Sequence, residues 1–181
     1  MTRLTVDTPF GKFHLLENQR QLWVACFDAN LERFELLFEE ATESADSPTL
    51  IRAERELEEY FAGRRFEFSF NFGLNHEDCE MGTAFQKQAW RKLQDIPYGQ
   101  TISYKEQALW MGHPKAVRAI GRANSKNPLS IFVPCHRVIG SQGDLTGYAG
   151  GLGTKRKLLE LEQTYKSARL LFCAAVSQTV C

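Results

Sequence analysis

The sequence predicts an α+β protein: a small N-terminal antiparallel sheet with a helix, then a mainly helical, winged-helix-like domain containing a helix-turn-helix. Three observations predict it. Short runs rich in apolar or β-favouring residues, separated by turns, occupy the first 27 residues. Two capping boxes, Thr83-x-x-Gln86 and Ser103-x-x-Glu106, open helical patterns after residue 81. Gly112 then separates two short helices, as a helix-turn-helix requires. The expected divisions are 1–80 for the first domain, 81–165 for the second and 166–181 for a tail.

Leu4–Val6, Lys12–Leu16 and Leu22–Phe27 read as strands. Thr8-Pro9-Phe10-Gly11 and Glu17-Asn18-Gln19 read as the turns between them, giving a meander. Leu31–Phe38 fits strand and helix equally. Ser47-Pro48 is a cap followed by proline at the first helical position, opening a helix to about Phe61 with Leu50, Ile51, Leu57 and Phe61 near helical spacing. Ala62-Gly63 ends it, and Phe66–Phe70 alternates like a strand. This half carries no visible catalytic set, and its His14 and His76 lack ligand-spaced partners. From Thr83 a helix runs to about Asp95, burying Phe85, Ala89, Trp90 and Leu93. A shorter helix from Ser103 stops at Gly112, and His113-Pro114 is expected to start the next with Pro114 at its first position. The pattern alone favours an ordinary helical hairpin, and the composition of the second helix argues for the helix-turn-helix.

Composition is that of a globular chain, with 43% hydrophobic and 24% charged residues among 181, which argues against disorder. The cysteines at 26, 79, 135, 173 and 181 are odd in number and form no C-x-x-C, which disfavours a disulfide framework and a zinc cluster. The N-terminus has no apolar core of a signal peptide. The longest apolar run, Leu170–Val176, falls far short of the roughly 20 residues of a membrane helix. The expected setting is a reducing compartment, cytoplasmic or, in a eukaryotic cell, nuclear. Formal net charge is zero but segregated: residues 81–165 hold 12 Lys+Arg against 5 Asp+Glu, or +7, and the remainder holds −7. A basic half beside an acidic one suggests a polyanionic partner for one surface.

The richest stretch runs from Asn127 to Glu162. An apolar run, Ser130-Ile131-Phe132-Val133, delivers Pro134-Cys135-His136-Arg137. A free thiol, with a pKa near 8.5, is only a few per cent thiolate at neutral pH, so chemistry at Cys135 needs a base. His136 is adjacent in sequence, although adjacency does not by itself bring the two side chains together. Taken alone, Cys135 reads more readily as a small buried hydrophobe, and the rest of the stretch reverses that reading. In the helix after His113, Ala116, Ala119, Gly121 and Ala123 are small, while Lys115, Arg118, Arg122 and Lys126 are basic. Small residues let a helix about 10–12 Å across press into a minor groove about 6 Å wide, and the cations neutralise phosphates. Nucleic acid is the expected partner.

At these residues the chain resembles a known family. GTAFQKQAW, IPYGQTISY, HPKAVRAIGRANSKNP, IFVPCHRVIG, TGYAGGL and the closing LLELE, spanning Gly82 to Glu162, resemble the O6-alkylguanine-DNA alkyltransferases (methylated-DNA–protein-cysteine methyltransferases). The N-terminal half fits that family only in length and type. The resemblance implies binding to double-stranded DNA, rotation of an O6-alkylated guanine out of the stack, and irreversible transfer of its alkyl group to Cys135. O4-alkylthymine is implied as a second lesion. Each molecule acts once, as a monomer, without a cofactor.

The resemblance also implies roles. The candidate catalytic set is Cys135, His136, Glu162, Tyr104 and Asn127. His136 takes the thiol proton, Glu162 holds the imidazole, Tyr104 donates to the departing base, and Asn127 braces the turn into the active-site loop. Glu160 rivals Glu162, but only Glu162 matches the motif. An acid at the C-terminal end of a helix beginning near Thr154 is disfavoured by the macrodipole and calls for a cationic partner. The candidate DNA contacts are Tyr104, Lys115, Arg118, Ala119, Arg122, Asn124 and Ser141, with Arg118 filling the vacated stack. Val138, Tyr148, Ala149 and Lys155 are the candidate base pocket. Some relatives carry zinc in the N-terminal half, but the ligand set is missing here, so no metal is expected. A helix-turn-helix regulator and a lesion-binding relative lacking the cysteine are both disfavoured by Cys135 with His136 and Glu162. A cysteine hydrolase leaves the basic helix unexplained, and a metal-thiolate sensor-repair protein needs a domain this chain lacks.

Overall fold

The computed structural model describes residues 1–70, 72 and 81–178, with the backbone alone from 169 onward. His76, Cys79 and residues 179–181 lie outside the described residues. Strands β1 (Thr2–Thr8), β2 (Gly11–Asn18) and β3 (Gln21–Phe27) form the antiparallel meander, and a short β4 (Thr42–Glu43) joins β1 in parallel. The sheet order is β3-β2-β1-β4. Central strand β2 is buried on both faces from Phe13 to Glu17, His14 and Glu17 included. Phe13 and Leu15 belong to the main core, while Leu16, Val24 and Cys26 pack with Phe34 and Phe38 on the other side. Leu31–Phe38, ambiguous in the sequence, is helical: a 3₁₀ turn over Asp28–Phe34 runs into α1 (Glu35–Glu40).

Helix α2 (Pro48–Phe61) starts as its cap dictates, the Ser47 hydroxyl accepting from Leu50 N at 3.3 Å. It lays Leu50, Ala53, Leu57 and Tyr60 on the sheet. Phe66–Phe70 is not a strand. Its rings instead wedge against the second half, with Phe66 on Tyr98 at 4.8 Å and Phe68 on Phe132 at 4.6 Å between centroids.

The second half opens with α3 (Ala84–Leu93), followed by β5 (Ile102–Ser103), α4 (Tyr104–Trp110) and α5 (Val117–Ser125). Both capping boxes are formed. Ala89, Ala108, Met111, Ile120 and Ala123 make the small core where α3, α4 and α5 meet. Gly112, at φ +76°, makes the turn between α4 and α5, a conformation that costs a side-chain-bearing residue. Pro114 does not start α5. It sits inside a turn closed by Ala116 N to His113 O at 2.8 Å, where proline suits the second position, and the helix begins three residues later.

The segment after α5 docks on the free edge of β3: Ala25 N donates to Pro128 O at 2.8 Å and Ser130 N to Ala25 O at 2.7 Å. Covering that edge satisfies its backbone groups and anchors the loop that leads into Cys135. A 3₁₀ turn at Cys135–Arg137 feeds β6 (Val138–Ile139), which pairs with β5 in parallel. Helix α6 (Leu152–Gln178) begins earlier than expected and passes residue 165 without a break. Among the described residues no helix is long and apolar enough to cross a membrane. The main core is continuous, joining Phe13, Leu15 and Tyr60 to Trp90, Ile131, Val133 and Leu158.

Candidate active site

Cys135 lies 4% exposed at the start of the 3₁₀ turn, its Sγ receiving Asn127 Nδ2 at 3.2 Å. Asn127 spends its amide on the loop: Nδ2 donates to Val133 O at 2.8 Å and Oδ1 accepts from Leu129 N at 3.0 Å. The loop also holds Ile131 at φ +70°, a strained conformation for a β-branched residue that its complete burial and the β3 docking sustain. Burial raises the Cys135 thiol, against the opposing pull of the Asn127 bond and the Lys155 charge, so the resting group is a thiol.

His136 is fully buried, and its Nε2 meets Glu162 Oε1 at 2.8 Å. Its Nδ1 is buried and has no protein hydrogen-bond partner. Among the described residues no hydrogen bond joins His136 to the Cys135 sulfur. Burial lowers the His136 pKa despite the nearby carboxylate, which leaves the ring neutral and able to accept a proton.

Glu162 is the hub. Its Oε1 also accepts from Tyr60 Oη at 2.9 Å and Arg137 Nη2 at 2.9 Å, and its Oε2 from Arg137 Nε at 3.0 Å and Gly99 N at 2.9 Å. Gly99 reaches it at φ +65°, with Lys166 packed where a Cβ would project. Burial works to raise the Glu162 pKa, but His136 and Arg137 outweigh it and hold the carboxyl well below the usual range. The helix-end reasoning for Glu162 does not hold, because α6 continues well beyond it. The cationic partner is nevertheless there, in Arg137.

Lys155, fully buried, donates from Nζ to Val138 O at 2.7 Å and Thr146 O at 2.8 Å, tying β6 to the loop before α6. Burial pulls its pKa down to about 8. Tyr104 donates to Thr146 O at 2.9 Å and has the Lys155 ammonium 3.5 Å from its oxygen; burial raises its pKa, so the phenol keeps its proton. Tyr148 is buried with its ring edge-on to His136, centroids 6.5 Å apart, and Ala149 beside it is half-buried.

Arg118, Ala119 and Arg122 are exposed on α5, Lys115 precedes the helix, and Ser141 is exposed beyond β6. Asn124 is a correction. It is 2% exposed and turned inward, Nδ2 donating to Gln107 Oε1 at 2.7 Å, so its side chain is not free to contact a partner. Its position one turn from Ile120 on the packed face of α5 is the reason. Sequence reasoning missed Tyr60, Gly99 and Arg137. Only Arg137 carried a local signal, its place in Pro134-Cys135-His136-Arg137.

Two clefts flank the site. One of about 470 Å³ lies behind the Cys135 turn among Phe68, Tyr98, Phe132 and Arg137, and Cys135 does not line it. The other, about 420 Å³, lies between Arg118, Gly121 and Arg122 of α5 and Thr146-Gly147, with Tyr104 at its wall.

A helix-turn-helix with exposed cations, backed by a thiol and a carboxylate-held imidazole, defines a nucleic-acid-directed protein whose chemistry runs through cysteine. Comparison with known proteins agrees. Residues 84–164 match the model of the 6-O-methylguanine DNA methyltransferase, DNA binding domain, and residues 1–74 that of its ribonuclease-like domain. The methylated-DNA–protein-cysteine methyltransferase of Methanosarcina barkeri is 43% identical over 159 residues, covering 87% of this chain and 94% of that one. The Mycobacterium bovis protein of the same name is 42% identical over 168 residues, covering 92% and 94%. The crystal structure of Mycobacterium tuberculosis OGT in complex with DNA superposes with a TM-score of 0.80 at 39% identity, covering 91% of this chain and 94% of that one. The chain belongs to the 6-O-methylguanine DNA methyltransferase family.

Proposed function

We propose that this protein reverses alkylation damage in double-stranded DNA by moving the alkyl group of O6-alkylguanine, and of O4-alkylthymine, onto Cys135. Its relatives are named for transfer from methylated DNA to a protein cysteine, and one is solved on DNA. The observation that carries the assignment to Cys135 is the adjoining His136. Its Nε2 is held by Glu162 and its buried Nδ1 is left without a protein partner.

His136 Nδ1 takes the thiol proton across one water, and Glu162 stabilises the imidazolium that results. The Cys135 sulfur attacks the alkyl carbon, a carbon–sulfur bond forms, and the carbon–O6 bond breaks. The electron pair leaves with the guanine, which receives a proton from the Tyr104 hydroxyl, a donor within reach of Lys155. The thiolate is a poor leaving group, so water does not displace it from the thioether and each molecule acts once. The protein supplies the acceptor atom, and no cofactor is required. Asn127 braces the loop, Val138 and Ala149 offer main-chain groups to the flipped base, and Tyr148 walls it. Lys115, Arg118, Ala119, Arg122 and Ser141 meet the duplex, with Arg118 entering the gap the base leaves. The protein acts as a monomer.

Intact-protein mass spectrometry after mixing with a duplex carrying O6-methylguanine tests this. One added methyl, mapped to the peptide containing Cys135, is expected. No adduct, or an adduct on another residue, overturns it.

A further inference from the structure

Among the described residues, the N-terminal half touches the Glu162 carboxylate through the Tyr60 hydroxyl. Tyr60 lies in the last turn of α2, fully buried, and donates to Glu162 Oε1 at 2.9 Å across 102 residues of sequence. That oxygen is the one His136 Nε2 contacts at 2.8 Å. We propose that Tyr60 is a positioning residue for alkyl transfer: by donating to Oε1 it orients the carboxylate and limits how tightly Glu162 holds the protonated form of His136. This deepens the assignment of His136 as base and rests on it.

The geometry separates the hydroxyl from the ring. The ring packs edge-on with Phe61 and Tyr98, at 5.4 and 5.8 Å between centroids, and against Phe68 at 5.5 Å, contacts a phenylalanine would retain. Among the described residues the hydroxyl makes one hydrogen bond, to Glu162. A carboxylate oxygen shared among donors has less charge to offer each of them. Oε1 is shared among Tyr60, His136 and Arg137. Among the described residues the other charged and titratable groups facing this network are Tyr98 of the turn after α3, Tyr148 of the loop before α6 and Lys155 of α6. Burial and the neighbouring carboxylate hold the Tyr60 phenol well above its ordinary pKa, so it remains a donor throughout the working range.

Removing the hydroxyl concentrates charge on Oε1, favours the imidazolium, and raises the His136 pKa. A base must be neutral to accept a proton, so the acid limb of the pH–rate profile moves to higher pH. The expected displacement is about one pH unit, equivalent to ~1.4 kcal/mol. The test measures single-turnover methyl transfer from an O6-methylguanine duplex across mildly acid to mildly alkaline pH. It compares the parent, Tyr60→Phe, Glu162→Gln, Tyr60→Phe with Glu162→Gln, and His136→Ala, with thermal melts alongside. Tyr60→Phe should melt near the parent and shift the limb upward. In the Glu162→Gln background the same change should not move it. A Tyr60→Phe profile that superimposes on the parent, or falls by one factor at every pH, overturns the proposal. So does a Tyr60→Phe chain unfolded at the assay temperature, which makes the hydroxyl a requirement of the fold. An acid limb lost in His136→Ala but unmoved in Tyr60→Phe overturns this proposal alone. A limb retained at the parent's midpoint in His136→Ala, as distinct from a rise at the higher pH where the thiol itself ionises, overturns the base assignment and this proposal with it.

Discussion

Arg137 grips the Glu162 carboxylate from both sides, its Nη2 2.9 Å from Oε1 and its Nε 3.0 Å from Oε2. The third guanidinium nitrogen, Nη1, donates to Ile96 O at 2.6 Å, so the fork cannot swing away. Arg137 and His136 therefore compete for one buried negative charge. With that charge already balanced, burial prevails at the imidazole and His136 rests neutral. Neighbours in sequence thus divide the work: Arg137 stabilises the carboxylate, and His136 is free to take up a proton.

Cys135→Ala should abolish methyl transfer while leaving DNA affinity intact, because the exposed cations of α5 do not touch the thiol. Mass spectrometry and fluorescence anisotropy with a labelled duplex check the two halves of this. A methyl group found instead on Cys26, Cys79, Cys173 or Cys181 would place the nucleophile elsewhere. Cys26 is a poor substitute, since burial pushes its thiol up to about 12.

His136→Ala and Glu162→Ala should each slow transfer by roughly 100- to 10,000-fold, the range typical of acid–base groups. Raising the pH should restore part of the rate, because the raised Cys135 thiol then ionises without help. Glu160, exposed on α6, should tolerate alanine. Loss of activity in Glu160→Ala with Glu162→Ala silent would reverse the assignment.

Glu162 should also leave a mark on acid stability. Its folded pKa lies below the ordinary carboxylate value, so its contribution is complete above the unfolded value, roughly 4.3, and is lost as pH falls toward the folded one. The parent should therefore lose stability below about pH 4 more steeply than Glu162→Gln. Urea midpoints measured against pH decide it, and equal slopes would remove Glu162 from the account.

Arg118→Ala separates base flipping from chemistry. Extrusion costs a few kcal/mol, part of which a guanidinium in the gap recovers by stacking. Repair in duplex DNA should fall sharply, while reaction with free O6-benzylguanine, which needs no flipping, should hardly change. Arg118→Lys keeps the charge without the planar face and should recover little. Equal losses on both substrates would put Arg118 in the chemistry, and full rescue by lysine would reduce it to a phosphate contact.

Affinity for undamaged duplex should fall steeply with salt through counterion release and depend little on sequence, given the +7 charge of residues 81–165. Titration at several salt concentrations on two unrelated duplexes measures it. A flat salt response, or a strong preference for one sequence, would favour a regulator.

Much was legible in the sequence because the signals were local. The meander, the Ser47-Pro48 cap and both capping boxes are set within a few residues, and each formed where those residues stand. The thiol and imidazole announced themselves by sitting side by side. Where a local signal met a competing local structure it misled. Pro114 entered a turn rather than a helix, and the alternating phenylalanines at 66–70 found aromatic partners instead of a strand.

What the sequence by itself determined is the set of elements and the reactive group: an α+β chain, a helix-turn-helix with a basic second helix, and a cysteine beside a histidine. Only the tertiary structure decided how that cysteine is served. It turned Asn124 inward to Gln107, buried Lys155 against the backbone of Val138 and Thr146, and gathered Tyr60, Gly99, His136 and Arg137 around Glu162. A helix cap is written into the four or so residues that make it. A carboxylate hub drawing four donors from three separate parts of the chain is written into no short stretch. It exists because packing α2 and α6 against the same core removes water from Glu162, and a dry carboxylate must find its hydrogen bonds from whatever the fold has placed beside it.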